Sequence, residues 1–386
     1  MTPAARLQAA CLCLDDILDG TAAEKTLTTW GRKNRYAGSK DRAAVRDHVF
    51  DALRQRDTLA ARGGALTGRG LILGLATQSE IPIATLFSGD GYGPEPLTED
   101  EHTHLDAPAA QAAQWDMPDW CAELLRQKYG AQALDIARSL TERAPVDLRV
   151  NLRKISRDAA QTLLAEQGIE TLCLDIAPTA LRVQSGARQI KNSAAYSDGL
   201  VELQDAGSQA LACALPLTGG MRVLDFCAGG GGKSLAMADL QDIQVFAHDA
   251  EPQRMKDIAP RAKRAGVEIT QLTTDTLAKS GLYDLILCDV PCSGSGAWRR
   301  SPDGKWRLGQ AEFQDLLNTQ AEILEQAKAY LAPGGTLAYA TCSLFAPENE
   351  AQIDKFQSNN PADLTVIQSQ WTPLDGCDGF FLAQMT

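Results

Sequence analysis

No stretch of this 386-residue chain approaches the roughly 18–20 consecutive apolar residues that a membrane-spanning helix needs. The segment from Met1 to Asp16 lacks an uninterrupted apolar core of signal-peptide type, and Asp15 and Asp16 close it off. A cytoplasmic protein with no membrane partner is expected. Cys-x-x-Cys is absent, and the Cys11/Cys13 and His102/His104 pairs have no second pair at finger-like spacing, so no metal is expected. The ten cysteines are scattered, which points to reduced thiols rather than disulfides. Repeats and low-complexity tracts are missing too. Finally, the chain lacks a positive balance: its net charge is −12. That weighs against a nucleic-acid partner, but phosphate binding needs only local positive charge.

What is present describes an ordinary globular protein. Hydrophobic residues make up 44% and charged residues 22% of a chain long enough for two or three domains. Leu7, Ala10, Cys11, Leu14 and Leu18 recur at helical spacing, as do Val45, Val49 and Leu53 after Ser39-Lys-Asp-Arg. Residues 1–88 therefore read as a helical domain, followed by the turn-rich stretch Gly89-Asp-Gly-Tyr-Gly-Pro-Glu-Pro. Between Glu24 and Arg69, eleven Lys or Arg face five Asp or Glu, and Arg32, Lys33 and Arg35 are candidates for holding phosphates. The competing reading is a solvated helix face.

A second, small α+β region spans 108–200, opening near Pro108. Asp119 to Tyr129 is expected to be an Asp-capped amphipathic helix ending at Gly130. Asp147-Leu-Arg-Val-Asn reads as a strand, Ser156 to Gln167 as a helix, and Ile169 to Val183 as short strands. From 201 to 386 strands alternate with helices: Val223-Leu-Asp-Phe, Val245-Phe-Ala-His-Asp, Leu285-Ile-Leu-Cys-Asp and Gly335 to Thr341, with helices over Lys233–Leu240 and Gln253–Ala265. This pattern implies an α/β fold with a doubly wound parallel sheet.

Asp225-Phe-Cys-Ala-Gly-Gly-Gly-Gly-Lys-Ser is a strand-to-helix turn whose backbone can approach a ligand closely. A Walker A loop matches at Gly232, Lys233 and Ser234, but Cys227 holds the place of its first glycine. The nicotinamide fingerprint fails at its last position, which holds Ser234 or Leu235. An S-adenosylmethionine loop needs no phosphate grip and fits better. Asp249, 24 residues after Asp225, is placed to accept from ribose hydroxyls, and Asp275 to lie near an adenine amino group.

Two cysteines close apolar runs fifty residues apart, Cys292 in Asp-Val-Pro-Cys-Ser-Gly and Cys342 in Tyr-Ala-Thr-Cys-Ser. Free cysteines are often small core residues. At strand ends flanked by Pro, Ser and Gly, these two sit where open α/β sheets place ligands. A thiolate suits addition to carbon 6 of a cytosine, which makes carbon 5 nucleophilic toward a sulfonium methyl. A partner must stabilise the adduct and the carbon 5 proton must leave. Cys342 or Cys292 as nucleophile, Asp289 beside Pro291, and a spare thiol for release make up such a set. The residues alone leave the two thiol roles open.

Asp289 to Trp306 and Tyr339 to Glu350 closely resemble two signature motifs of the RsmB/Nop/Sun family of RNA 5-methylcytosine methyltransferases. The Gly-rich segment is similar to that family's cofactor loop, and Gln204-Asp-Ala-Gly-Ser-Gln to the segment before it. The helical head resembles the NusB-like RNA-binding domain of bacterial RsmB-type members. The resemblance implies a Rossmann-like methyltransferase domain with Cys342 as nucleophile and Cys292 assisting release. It places Cys227, Ala228, Gly229, Gly230, Gly231, Gly232, Lys233, Asp249, Asp275 and Asp289 around S-adenosylmethionine. Family loops usually carry Ala-Pro-Gly-Gly-Lys, and here Gly230 takes the proline's place. That should loosen the loop without removing a chemical group.

The expected activity is methylation of a cytosine in structured RNA, ribosomal RNA ahead of tRNA, by a monomer. Arg299, Arg300 and Trp306 are expected to contact the target strand with the base extruded into the pocket. The rivals are a non-catalytic RNA-binding scaffold, which intact Cys292, Cys342, Asp289 and Lys233 argue against, and a DNA cytosine methyltransferase, which the Thr-Cys-Ser cysteine disfavours.

Overall fold

A computed structural model describes residues 1–106, 115–360 and 365–386. The expected start of the second region at Pro108 lies outside them. The chain forms two compact units, Met1–Arg143 with Trp298–Leu308, and Ala144–Ala297 with Gly309–Thr386.

The first unit is helical. Its long helices, Pro3–Leu18, Ala23–Lys33 and Ser39–Arg54, bury Leu14, Val45, Val49, Leu53, Leu59, Leu71 and Ile72 in one core. Thr2 caps the first helix by accepting from the Ala5 N–H, with Pro3 preset for the first turn. The helix Gly68–Ala76 packs with almost no side-chain spacer: a Cβ on Gly74 would lie 2.2 Å from the Leu59 carbonyl oxygen. The helix Asp119–Tyr129 belongs to this unit and ends at Gly130 as its sequence indicates. Asp119 does not cap it. Pro118 occupies the cap position, so Asp119 instead places its charge in the first turn, where the helix dipole favours it.

The second unit begins with a four-stranded antiparallel sheet in the order β2-β3-β1-β4, from β1 (Asp147–Val150), β2 (Thr171–Cys173), β3 (Ala180–Val183) and β4 (Val201–Leu203). The remaining strands are β5 (Arg222–Asp225), β6 (Gln244–His248), β7 (Ile269–Leu272), β8 (Tyr283–Asp289), β9 (Leu331–Thr341), β10 (Val366–Trp371) and β11 (Phe380–Met385). They form a seven-stranded sheet in the order β10-β11-β9-β8-β5-β6-β7. Five strands are parallel, but β11 runs antiparallel to β9 and β10 antiparallel to β11. An antiparallel hairpin thus extends the expected parallel sheet at this edge, unanticipated because a hairpin needs no crossover helix to signal it. The expected helix Gln253–Ala265 is also divided, into a 3₁₀ turn over Pro252–Asp257 and an α-helix over Ile258–Ala265.

Both faces of the central strands are buried. Ile286 and Cys288 of β8 and Leu337 and Tyr339 of β9 enter one core, while Leu285, Leu287, Ala338 and Ala340 enter the other. Such strands read as continuous apolar runs rather than alternating ones. No helix among the described residues is long and apolar enough to cross a membrane.

Candidate active site

The strand order reverses between β5 and β8, so the loops leaving their carboxyl ends bound a crevice suited to a ligand. Parallel β6 and β9 end on the same side. Asp249, the Gly-rich loop, Asp289, Cys292 and Cys342 all follow from these ends.

The Gly-rich loop is anchored at its base. Phe226 N–H donates to the Leu287 carbonyl and Ala228 N–H to that of His248, each at 2.8 Å. Gly229 and Gly231 have φ of +49° and +77°, the left-handed region that glycine enters freely. A Cβ on Gly231 would sit 2.7 Å from Ile258 Cγ1, so the chain must be bare there. Asp249 is buried and its Oδ2 accepts from the Gly229 N–H at 2.9 Å, tying the loop to the end of β6. The helix Gly232–Leu240 is fixed by buried Arg149, which pairs with Asp239 at 2.8 Å and donates to the Gly232 carbonyl at 3.2 Å. Gln204 donates to that same carbonyl at 3.3 Å, which explains why the Gln204-Asp-Ala-Gly-Ser-Gln segment accompanies the loop.

Lys233 does not reach toward a phosphate. Its Nζ lies 2.6 Å from Asp289 Oδ2, consumed in an ion pair across the crevice. Burial pulls the ammonium pKa down, but the charge and hydrogen bond of Asp289, with the charges of Cys342 and Asp225, together outweigh it and the net shift is upward. Asp225, at the end of β5, accepts from Ser234 Oγ at 2.6 Å, and its burial raises the carboxyl to about 7. A bare backbone cradle, a carboxylate at the end of β6 and a neutralised lysine suit a cofactor whose amino-acid end and ribose are recognised, and not a nucleoside phosphate. The residues present therefore fit S-adenosylmethionine. Cys227 sits in this wall, its thiol pushed upward chiefly by burial and then by the surrounding carboxylates.

Cys292 Sγ and Cys342 Sγ are 3.5 Å apart. The two loops are stitched together by backbone: Val290 N–H donates to the Ala340 carbonyl at 3.0 Å and Gly296 N–H to that of Cys342 at 2.9 Å. The Cys292 thiol is driven well above its ordinary range. The hydrogen bond with Cys342 contributes most, then burial, then the charges of Cys342 and Glu348.

The structure also brings in residues that the sequence reading passed over. Glu348, Asn349 and Gln320 are all buried behind the cysteines. Asn349 accepts from Thr341 Oγ1 at 2.6 Å and donates to the Ser343 carbonyl at 2.9 Å. Gln320 Nε2 donates to the Pro291 carbonyl and to Glu348 Oε1, each at 3.0 Å. A signal was present: a serine follows each cysteine, and the carboxylate of Glu348 lies within the second motif itself.

Asp275 is exposed at the start of the short helix Thr274–Leu277, whose Thr274 hydroxyl lies 3.2 Å from His248 Nε2. Arg32, Lys33 and Arg35 are exposed on the helical unit. Other basic residues there are engaged internally, Arg46 with Glu24, Arg54 with Asp51 and Arg69 with Glu101. The structure places Arg299 and Trp306, expected to contact RNA, in the packing of the helical unit. Arg299 is 5% exposed, and its carbonyl accepts from Arg54 Nε at 2.7 Å. Trp306 Nε1 donates to the Leu53 carbonyl at 2.8 Å, and the Arg56 guanidinium covers its ring at 3.5 Å. Lys305 is fully buried, donates to the Arg54 carbonyl at 2.8 Å and is drawn down to about 7 by burial. These side chains build the helical unit. Arg300 is half-buried.

Comparison with known proteins agrees with this geometry. Residues 212–385 match the family model described as 16S rRNA methyltransferase RsmB/F, and residues 117–189 match the ferredoxin-like domain of RsmF/B-like methyltransferases. Ribosomal RNA small subunit methyltransferase B of Klebsiella pneumoniae subsp. pneumoniae is 34% identical over 282 residues, 69% of this chain and 65% of that protein. Its namesake from Citrobacter koseri is 34% identical over 291 residues, 72% of this chain and 68% of that protein. The chain thus spans about two thirds of the length of the curated relatives it matches. Among solved structures, PH0851 superposes with a TM-score of 0.75 at 21% identity, covering 100% of this chain and 99% of its own, a likeness of fold. With these relatives, which share its sequence over most of its length, the chain belongs to the RsmB/F family of 16S rRNA methyltransferases.

Proposed function

We propose that the chain transfers a methyl group from S-adenosylmethionine to carbon 5 of a cytosine in RNA, ribosomal RNA ahead of tRNA. The observation that carries the chemistry is the pair of sulfurs 3.5 Å apart at the mouth of the crevice. The names of the relatives supply the substrate class. When bound, S-adenosylmethionine supplies an electrophilic sulfonium methyl. Gly229 to Gly232 would pass its amino-acid end, Asp249 would take its ribose hydroxyls, and Asp275 its adenine edge.

Cys342 adds its sulfur to carbon 6 of the ring, and the displaced electron pair makes carbon 5 nucleophilic. Asp289, held by Lys233, accepts from the ring's amino edge and keeps the base in place. Once carbon 5 carries its methyl group, its proton must leave. Cys292 starts as a thiol because of its hydrogen bond to Cys342, burial and the Cys342 charge. Attachment of Cys342 to the ring removes the first and third of these. Cys292 then sheds its proton to solvent and takes the proton from carbon 5. The 5,6 double bond re-forms, the carbon–sulfur bond breaks, and the electron pair returns to Cys342.

Bisulfite sequencing of total RNA from cells with and without the gene tests this reading. One cytosine, in ribosomal RNA, should be protected only when the gene is present. Identical protection throughout both RNA pools would contradict it.

A further inference from the structure

Behind the two cysteines lies a carboxylate that the proposed chemistry leaves unused. Glu348 is fully buried. Its acceptor positions are filled by neutral donors rather than by lysine or arginine. Oε1 accepts from the Ser293 N–H at 2.7 Å and from Gln320 Nε2 at 3.0 Å, and Oε2 accepts from the hydroxyls of Ser293 and Ser343. Burying an ionised carboxylate is costly unless such bonds compensate it, and Glu348 has them on both oxygens.

The two serines give this cluster its meaning. Ser293 directly follows Cys292, and Ser343 directly follows Cys342. Their hydroxyls are 3.3 Å apart and meet on one carboxylate oxygen. Glu348 is itself fixed, since Tyr339 Oη donates to its carbonyl at 2.6 Å. On the far side of each cysteine, Gln320 holds the Pro291 carbonyl and Asn349 holds the Thr341 hydroxyl. Each cysteine is therefore restrained through both of its chain neighbours.

Resting on the cytosine-5 reading above, we propose that Glu348 is a positioning residue that locks the two cysteine loops together and makes the two thiols chemically unequal. The lock holds the sulfurs within reach of one ring. The inequality comes from asymmetric placement: Glu348 Oε1 takes the Ser293 N–H beside Cys292, whereas the Ser343 N–H beside Cys342 goes to Thr341 Oγ1, so the carboxylate adds to the Cys342 hydrogen bond, burial and the Cys342 charge in opposing a negative charge on Cys292. With Cys292 kept as the thiol, Cys342 is the sulfur that attacks. Glu348 acts through its neighbours and touches neither ring nor cofactor.

The test uses the full chain without RNA or cofactor. The purified protein is alkylated with iodoacetamide across a pH series, and the label on Cys292 and Cys342 is counted separately by mass spectrometry. The native protein should favour Cys342 at least about tenfold near neutral pH, the scale of one charge-assisted hydrogen bond. In Glu348→Gln the labelling of Cys292 should begin at lower pH and the preference shrink to about threefold or less, while Glu348→Asp should restore most of it. A folded Glu348→Gln with the native preference and pH profile would overturn the proposal.

Should Glu348→Gln fail to fold, the double variant Ser293→Ala, Ser343→Ala decides. It keeps the carboxylate and loses two hydroxyl donors, so kcat on RNA should fall about tenfold or more with KM unchanged. Native kcat in that variant would sink the lock. The labelling readout needs no substrate. An unequal pair of thiols in a protein that methylates no RNA would defeat the reading above and leave Glu348 in its role. Methylation with no effect of Glu348→Gln would defeat this inference alone.

Discussion

Asp249 directly follows β6 with both carboxylate oxygens engaged, Oδ2 by the Gly229 N–H and Oδ1 by the Glu251 N–H, each at 2.9 Å. It thereby orients the loop, Arg254 Nη1 lies 3.4 Å from the same Oδ2, and the proposed function gives the remaining lone pairs to a ribose. Asp249→Ala should weaken S-adenosylmethionine binding by roughly 1.5–3 kcal/mol in calorimetry, the range for hydrogen bonds to a charged acceptor. Unchanged affinity, or binding of NAD or ATP instead, would contradict that role. Two glycines of the same loop make a sharper contrast. Gly231 has φ of +77° and Ile258 Cγ1 2.7 Å from where a Cβ would go, whereas a Cβ on Gly230 meets only Arg261 Nη1 at 3.5 Å. Gly231→Ala should cost about 1–3 kcal/mol of unfolding free energy, and Gly230→Ala within about 0.5 kcal/mol of nothing. Equal losses in urea titrations would mean that the loop is not held as described. Arg261 donates to the Gly230 carbonyl, a restraint on the loop where the family's proline is missing.

At the scale of elements, the helix Ala23–Lys33 and the turn after it present Arg32, Lys33 and Arg35 to solvent. Two of these charges lie in the last turn, where the helix dipole already favours cations, so their presence alone does not require a ligand. Salt dependence separates the two explanations. If they hold phosphates, reversing all three to Glu should flatten the dependence of RNA affinity on log salt by about two to three units of slope. An unchanged slope in filter binding would return them to the solvent. The segment Trp298–Leu308 shows the limit of reading charge from sequence. Arg299, Arg300 and Trp306 look like a nucleic-acid face in the sequence because they are basic and aromatic. Arg56 covers the Trp306 ring, and backbone carbonyls take the Lys305 ammonium and the Trp306 N–H. A residue's type does not say whether its polar end meets solvent or a distant carbonyl.

For the molecule as a whole, the legible parts were those with local signals. The central strands are apolar on both faces and separated by helices of ordinary length, so β5, β6, β8 and the end of β9 could be read directly. The Gly-rich loop, Cys292 and Cys342 stood out because glycine runs and strand-end cysteines have few structural uses. The hairpin of β10 and β11 was not legible. Its alternation is obscured because β11 is buried along nearly its whole length and β10 is the exposed edge. The Glu348 cluster was hidden for another reason: its meaning lies in contacts across 55 residues, from Glu348 to Ser293, which no spacing rule anticipates.

In the proposed chemistry the two thiols have different duties, and one experiment asks for both at once. RNA and labelled S-adenosylmethionine are incubated with Cys342→Ala and with Cys292→Ala, and the products are run on denaturing gels. Cys342→Ala should show no turnover and no protein–RNA adduct, because nothing adds to the ring. Cys292→Ala should also fail to turn over, yet should accumulate a slow-migrating covalent band carrying the labelled methyl group. A band in Cys342→Ala and none in Cys292→Ala would reverse the roles, and full turnover in both would contradict the covalent mechanism.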